Sequence, residues 1–108
     1  MKRELVATSI SLLVLAACAS VSPSVTFGGG DGSAPETAIV IQGASHQEQG
    51  IRAEHEWVER KYPGAEWIGQ RLGGFRGKPQ DVITIRLKSG EERIVYFDTS
   101  GFAAKMGG

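Results

Sequence analysis

Read for its hydrophobic and polar positions, the chain divides into three unequal parts. From Leu5 to Ala17 it carries no charge and is apolar except at Thr8, Ser9 and Ser11, behind a short basic head of Lys2 and Arg3 that Glu4 partly offsets. From Ala19 to Pro35, ten of seventeen positions are Ser, Gly or Pro. From Glu36 onward apolar residues recur with the periods of strands and of a helix.

The first run is too short to span a bilayer, which takes about 20 apolar residues at ~1.5 Å each. A basic head, a short apolar run and small residues at its end predict an export signal over residues 1–17 that is removed. The second part predicts a flexible tether over residues 18–35, with an r.m.s. span of about 20–25 Å as a coil. Its glycine run, Gly28-Gly29-Gly30-Asp31-Gly32, lacks the Gly-Lys-Ser/Thr ending of a phosphate-binding loop. The third part, residues 36–108, predicts one small domain.

Within that domain Ala38-Ile39-Val40-Ile41, between Pro35 and Gly43, predicts a strand that is apolar on both faces. Ser45 to Tyr62 predicts the main helix, opened by a Ser45-x-x-Glu48 capping box and closed by Pro63-Gly64. Ile51, His55, Val58 and Tyr62 fall on one stripe of it, and Glu48, Arg52, Glu56, Glu59 and Arg60 fall opposite. Ala65 to Leu72 predicts a strand, Gly73 to Pro79 a loop. Asp81 to Lys88 predicts a strand with Ile83, Ile85 and Leu87 on one face. After a turn at Ser89-Gly90, Arg93 to Asp98 returns. A two-residue turn sets Ile85 opposite Ile94, and Arg86 opposite Arg93. A bulge at Gly90 pairs Ile85 with Val95, and the pattern leaves both registers open. Phe102 to Gly108 reads as a tail. The expected fold is α+β: one helix on a small, mostly antiparallel sheet, in the order β-α-β-β-β.

Composition narrows the partners. Removal of residues 1–17 leaves 91, with ten Lys and Arg against eleven Asp and Glu, so no basic excess points to nucleic acid. Cys18 is the only cysteine.

Leu15-Ala16-Ala17-Cys18 resembles the bacterial lipobox, a leucine three positions before a cysteine with small residues between. The resemblance implies cleavage between Ala17 and Cys18, diacylglycerol on the Cys18 sulfur and acylation of the new amino terminus. Two or more chains make a stable anchor where one binds reversibly, so the expected partner at this end is the membrane itself. Ala19, not aspartate, follows the cysteine, which by the same resemblance implies the outer membrane where the source has two. From Ser45 to Gly101 the layout resembles a PepSY-type domain: helix, Pro63-Gly64 break, strands, a turn at Ser89-Gly90 and a closing Tyr96-Phe97-Asp98-Thr99-Ser100-Gly101. That resemblance implies an extracytoplasmic binding or inhibitory module, with no inhibitory residue to carry over. Gly77 to Thr84 followed by Val95 to Asp98 is also similar to small exported bacterial proteins of unassigned function.

Candidate chemistry is sparse. His46 and His55, nine apart on a helix, point to opposite sides and cannot share a metal. His55 on the apolar stripe reads as a hydrogen-bonded core or boundary histidine, with Glu54 placed to orient its ring. Glu91-Glu92 reads as solubilising charge at a hairpin tip. Trp57 and Trp67 are the candidate partner-binding residues, with core packing as the competing role. No catalytic constellation, metal site or cofactor is expected. The expected function is a lipid-anchored, non-enzymatic binding or inhibitory module for a protein or cell-wall partner. The alternatives are a small envelope hydrolase using His55 with Glu54 or Glu59, and a purely structural outer-membrane lipoprotein.

Overall fold

The computed structural model describes residues 25–107, with side chains through Ala103. The expected signal, Cys18 and the first positions of the tether lie outside the described residues. Besides a 3-10 turn at Pro35–Thr37, the elements in chain order are β1 (Thr26–Gly29), β2 (Ile39–Gln42), α1 (Gln47–Lys61), β3 (Glu66–Phe75), β4 (Lys78–Arg86), β5 (Glu92–Asp98) and α2 (Ser100–Gly107). The strands form one sheet in the order β1-β2-β5-β4-β3. Every neighbouring pair is antiparallel except β2 and β5, which run parallel. The fold is α+β, with the main helix on one face of the sheet. Among the described residues no helix is long and apolar enough to cross a membrane.

The period-two pattern of β4 decides the face. Ile83 and Ile85 point at α1 and are fully buried, with Val95 and Phe97 of β5 and Ile39 and Ile41 of β2 beside them. Each such side chain contributes roughly 1.5–3 kcal/mol on burial. From α1 the core receives Ala53 and Val58, and from α2 it receives Phe102.

The sheet begins earlier than the composition implied. Part of the glycine run expected to be tether is strand β1, with Gly28 opposite Val40 and Gly29 opposite Ile39. A Cβ at Gly29 or Gly30 would strike the backbone of Ala38 or Thr37. These glycines allow two backbones to touch, a use that composition cannot distinguish from flexibility. The loop that follows is held by Gly30 N–H to Ala38 O at 3.1 Å and by Gly32 N–H to Thr37 O at 2.7 Å. The Gly32 carbonyl in turn accepts the Tyr96 N–H of β5 at 2.8 Å.

Three further boundaries move. The expected tail contains α2, which opens where Asp98 Oδ1 accepts the Ser100 N–H at 2.9 Å and its Oγ–H at 2.7 Å. The expected loop over Gly73–Pro79 shrinks to Arg76-Gly77, whose φ values of 53° and 81° fit a two-residue hairpin turn. The β4–β5 register is neither of the two expected. Leu87 N–H bonds Glu91 O at 2.7 Å and Gly90 N–H bonds Leu87 O at 2.8 Å, which closes a three-residue loop with Gly90 at φ 94°. Ile83 therefore faces Val95, Ile85 faces Arg93, and Arg86 faces Glu92 instead of Arg93. Arg86 lies between Glu66 at 3.3 Å and Glu92 at 3.4 Å.

The helix cap also slips by one position. His46 is the cap residue and its Nδ1 accepts the Gln49 N–H at 3.4 Å, while Ser45 donates its N–H and Oγ–H to Gln49 Oε1 at 2.8 and 2.9 Å. Gln49, not Glu48, is the reciprocal partner. The buried stripe is Gly50, Ala53, Glu54 and Val58, rotated from the one expected. The buried line passes through Glu54, a carboxylate that the hydrophobic pattern assigns to water.

Candidate functional site

Strand β3 is an edge strand, and a bulge decides what it presents. The register shifts between Trp67 and Gly69, so Trp67 pairs with Ile85 on the helix-facing side and Gln70 and Leu72 follow it there. Without the extra residue Arg71 would have taken that face. The first turns of α1 do not reach over these positions, and Leu72 remains 83 % exposed. Between them lies a pocket of about 250 Å³. Its walls are Gln47 and Ile51 of α1, Gln70, Leu72 and Gly73 of β3, and Thr99, Phe102 and Ala103 at α2. Its floor is the start of β4: Pro79, Gln80 and Asp81.

Asp81 is buried and has Glu54 of α1 against it. Glu54 is wholly buried, and neither carboxyl oxygen meets a donor among the described residues. Burial first, and the neighbouring Asp81 second, push its pKa up to about 10. Two carboxylates cannot bond each other, because each only accepts. A protonated Glu54 can donate to Asp81, which accounts for an acid in this position without a cation beside it. The pocket thus combines walls that are mostly apolar with a buried acceptor at its base, the combination that small-ligand and side-chain pockets share.

The residues singled out from the sequence are dispersed. His55 is exposed and stacks on Trp67, ring centroids 3.9 Å apart and 12° from parallel. It is not the hydrogen-bonded core or boundary histidine expected on the apolar stripe, because the helix is rotated toward Glu54. No hydrogen bond joins His55 to Glu54 or Glu59 among the described residues, and Glu54 turns inward while His55 turns out. Trp57 is half-buried on the other flank of α1, edge-on to Phe97 at 5.7 Å and to Tyr62 at 6.3 Å. The two tryptophans therefore share no patch, and both pack against the core. Two other recesses exist. One lies on the back of the sheet and includes Glu36, Phe75, Arg76, Lys78 and Asp98, and the other lies at Phe27, Trp57, Arg60 and Lys61. His55 lines none of the three. Among the described residues no three His, Cys, Asp or Glu side chains gather as metal ligands.

Glu54 and Asp81 were not singled out together from the sequence, yet a signal was there. Asp81 precedes Ile83, Ile85 and Leu87 in strict alternation, so it belongs to the inward face. Glu54 stands four residues after Gly50 and four before Val58, on the buried line of the helix.

Compared with known protein families, curated proteins and solved structures, the chain matches none.

Proposed function

We propose that this protein is a lipid-anchored component of a bacterial envelope whose α+β domain is a non-enzymatic binding module. Cys18 carries the lipid, residues 1–17 are the signal, and the outer membrane is the destination where two membranes exist. The observation that carries the binding reading is the pocket between α1, α2 and β3, mostly apolar in its walls and ending on Asp81. Such a site takes an apolar group that also bears a donor, such as a side chain of a protein partner or of a cell-wall peptide. The PepSY resemblance of residues 45–101 supports the same direction. A hydrolase built on His55 with Glu54 or Glu59 finds less support, because Glu54 lies inside the core and His55 outside it.

Two measurements test this. Metabolic labelling with a fatty-acid analogue is expected to mark the parent chain and to miss Cys18→Ser; label retained on the variant refutes lipidation at that residue. A photoreactive residue at Gln47, on the pocket wall, is expected to give a discrete adduct in whole cells. Ile51→Trp, which fills the pocket, is expected to remove it. A folded parent that yields no adduct favours a purely structural lipoprotein.

A further inference from the structure

The strand directions bring one end of the sheet together. β2 and β5 run upward in parallel, β1 and β4 run down, and β3 runs up. Val25, the β3–β4 turn at Arg76-Gly77 and the start of α1 therefore all lie at the same end. Val25 is seven positions after Cys18, and at ~3.3–3.6 Å per step the chain between them reaches at most about 25 Å. The β1 and β3 edges of the sheet are four strand spacings apart, about 19 Å. A lipid on Cys18 thus holds this end of the domain, and not the Ser89-Gly90 end, close to the bilayer.

The hairpin at that end has a composition unlike the rest of the chain. From Trp67 to Gln80 there are three cations, Arg71, Arg76 and Lys78, and no acid, in a protein whose formal net charge is zero. Leu72 is 83 % exposed. The Arg76 guanidinium lies 4.8 Å from the centre of the Phe75 ring, a cation and an aromatic at one tip. Arg71 and Lys78 share the back face of the sheet with Phe75 by register. Asp81 faces Leu72 across the strands but is buried, and on the back face Glu36 and Asp98 line the recess beside Arg76 and Lys78, Asp98 being buried with its Oδ1 occupied by Ser100.

We infer that the β3–β4 hairpin docks on an anionic lipid surface, with Arg71, Arg76 and Lys78 at the headgroups, Phe75 beside them on the back face, and Leu72 meeting the interface from the other face of the same edge strand. This rests on the lipid anchor proposed above, and it deepens that reading by naming a second, reversible membrane contact. Each cation near an anionic surface is worth about fivefold in partition, so three give about a hundredfold. That is a weak contact alone, and it is sufficient once the anchor has raised the local concentration. Docked this way the domain is tilted onto its β3–β4 turn, with the Ser89-Gly90 end raised away from the membrane.

The experiment uses the full mature lipoprotein reconstituted in vesicles, with an environment-sensitive fluorophore on Leu72→Cys. That thiol is the only free one once the Cys18 sulfur carries its diacylglycerol. In vesicles containing phosphatidylglycerol the emission is expected to shift to the blue and to be quenched by lipid-borne nitroxide. Phosphatidylcholine vesicles alone, or about 0.5 M salt, are expected to abolish both effects. The same fluorophore on Ser89→Cys, at the far end, is expected to remain in water. Arg71→Gln with Arg76→Gly and Lys78→Gln is expected to lose the shift while the domain stays folded by circular dichroism at the assay temperature. A Leu72 signal no different from the Ser89 signal in anionic vesicles overturns docking and leaves the anchor intact. Failure of the chain to reconstitute at all overturns the anchor, and docking with it. Crosslinking of position 72 to a protein in cells, with no lipid quenching in vesicles, assigns the hairpin to a protein partner instead.

Discussion

Phe102 of α2 lies directly on Gly50 of α1, with its ring filling the place where a Cβ would stand. This contact explains an otherwise costly glycine inside a helix, about 1 kcal/mol worse than alanine by intrinsic preference. It also fixes α2 and one wall of the pocket. Gly50→Ala is therefore expected to destabilise the domain despite the gain in helix preference. Forcing one methyl into a packed core costs roughly 1–3 kcal/mol, which lowers the melting temperature by several degrees in a domain of this size. Thermal unfolding followed by circular dichroism checks this. A higher melting temperature for Gly50→Ala would mean that Phe102 is not seated there.

Glu54 gives the domain an unusual pH dependence. Its folded pKa is raised from 4.5 to about 10, by burial and then by Asp81. A raised acid binds its proton more tightly in the folded chain than in the unfolded one. Its contribution is therefore fully present below about pH 4.5 and is lost progressively as pH rises toward 10. The loss is at most about 1.4 kcal/mol per pH unit, the limit for one proton. Glu54→Gln keeps the shape and a donor toward Asp81, but does not titrate. Urea midpoints of the parent are expected to fall between pH 5 and pH 8, and those of Glu54→Gln to fall much less. The variant is expected to be the more stable of the two at pH 8. Parallel decline of both would show that the carboxyl pair is not the cause.

The layers of this fold were legible in the chain, and the details missed share two physical reasons. Ile83, Ile85 and Leu87 alternate cleanly, and the helix over Gln47–Lys61 has both cap and stop signals, so the main helix on a mostly antiparallel sheet follows from pattern alone. Glycine hid β1 and the close of the β4–β5 hairpin. Gly29, Gly30 and Gly90 serve tight backbone geometry, and the same letters spell a loose linker or an undecided turn. Burial of polar groups hid the candidate site. Glu54 and Asp81 lie on the inward lines of their elements, but a carboxylate is ordinarily assigned to water. Only their mutual contact, set by a helix crossing a strand twenty-seven residues later, shows why they are tolerated inside.

Arg76 is the only described residue other than glycine with positive φ, at 53°. A left-handed backbone costs an ordinary side chain roughly 1–2 kcal/mol, and glycine nothing comparable. Arg76→Gly relieves that strain but gains freedom in the unfolded chain and gives up the contact with Phe75, so its stability is expected to stay within about 1 kcal/mol of the parent. Arg76→Val keeps a Cβ and adds a branch, and is expected to fall at least about 1 kcal/mol below Arg76→Gly. Urea unfolding of the two variants side by side decides it. Equal midpoints would mean that the β3–β4 turn does not hold this position left-handed.

Val58 and Glu56, two positions apart on α1, test which side of the helix meets the sheet. Val58 is 4 % exposed within the core cluster, whereas Glu56 is half-buried on the flank and lies 4.0 Å from Arg60 in an i,i+4 pair. A charge at Val58 would have no partner in that apolar setting, and an unpaired buried carboxylate costs several kcal/mol. So small a domain has only a modest reserve of stability to set against that. Val58→Asp is expected to unfold it at 25 °C, with loss of the near-ultraviolet signal of Trp57 and Trp67. Glu56→Ala removes polar interactions on the flank of the helix, each such pair worth a few tenths of a kcal/mol, and regains part of that in helix preference, so its melting temperature is expected to fall by no more than a few degrees. Comparable losses in both variants would place the buried face of α1 on the wrong side, and with it the alignment of Glu54 over Asp81.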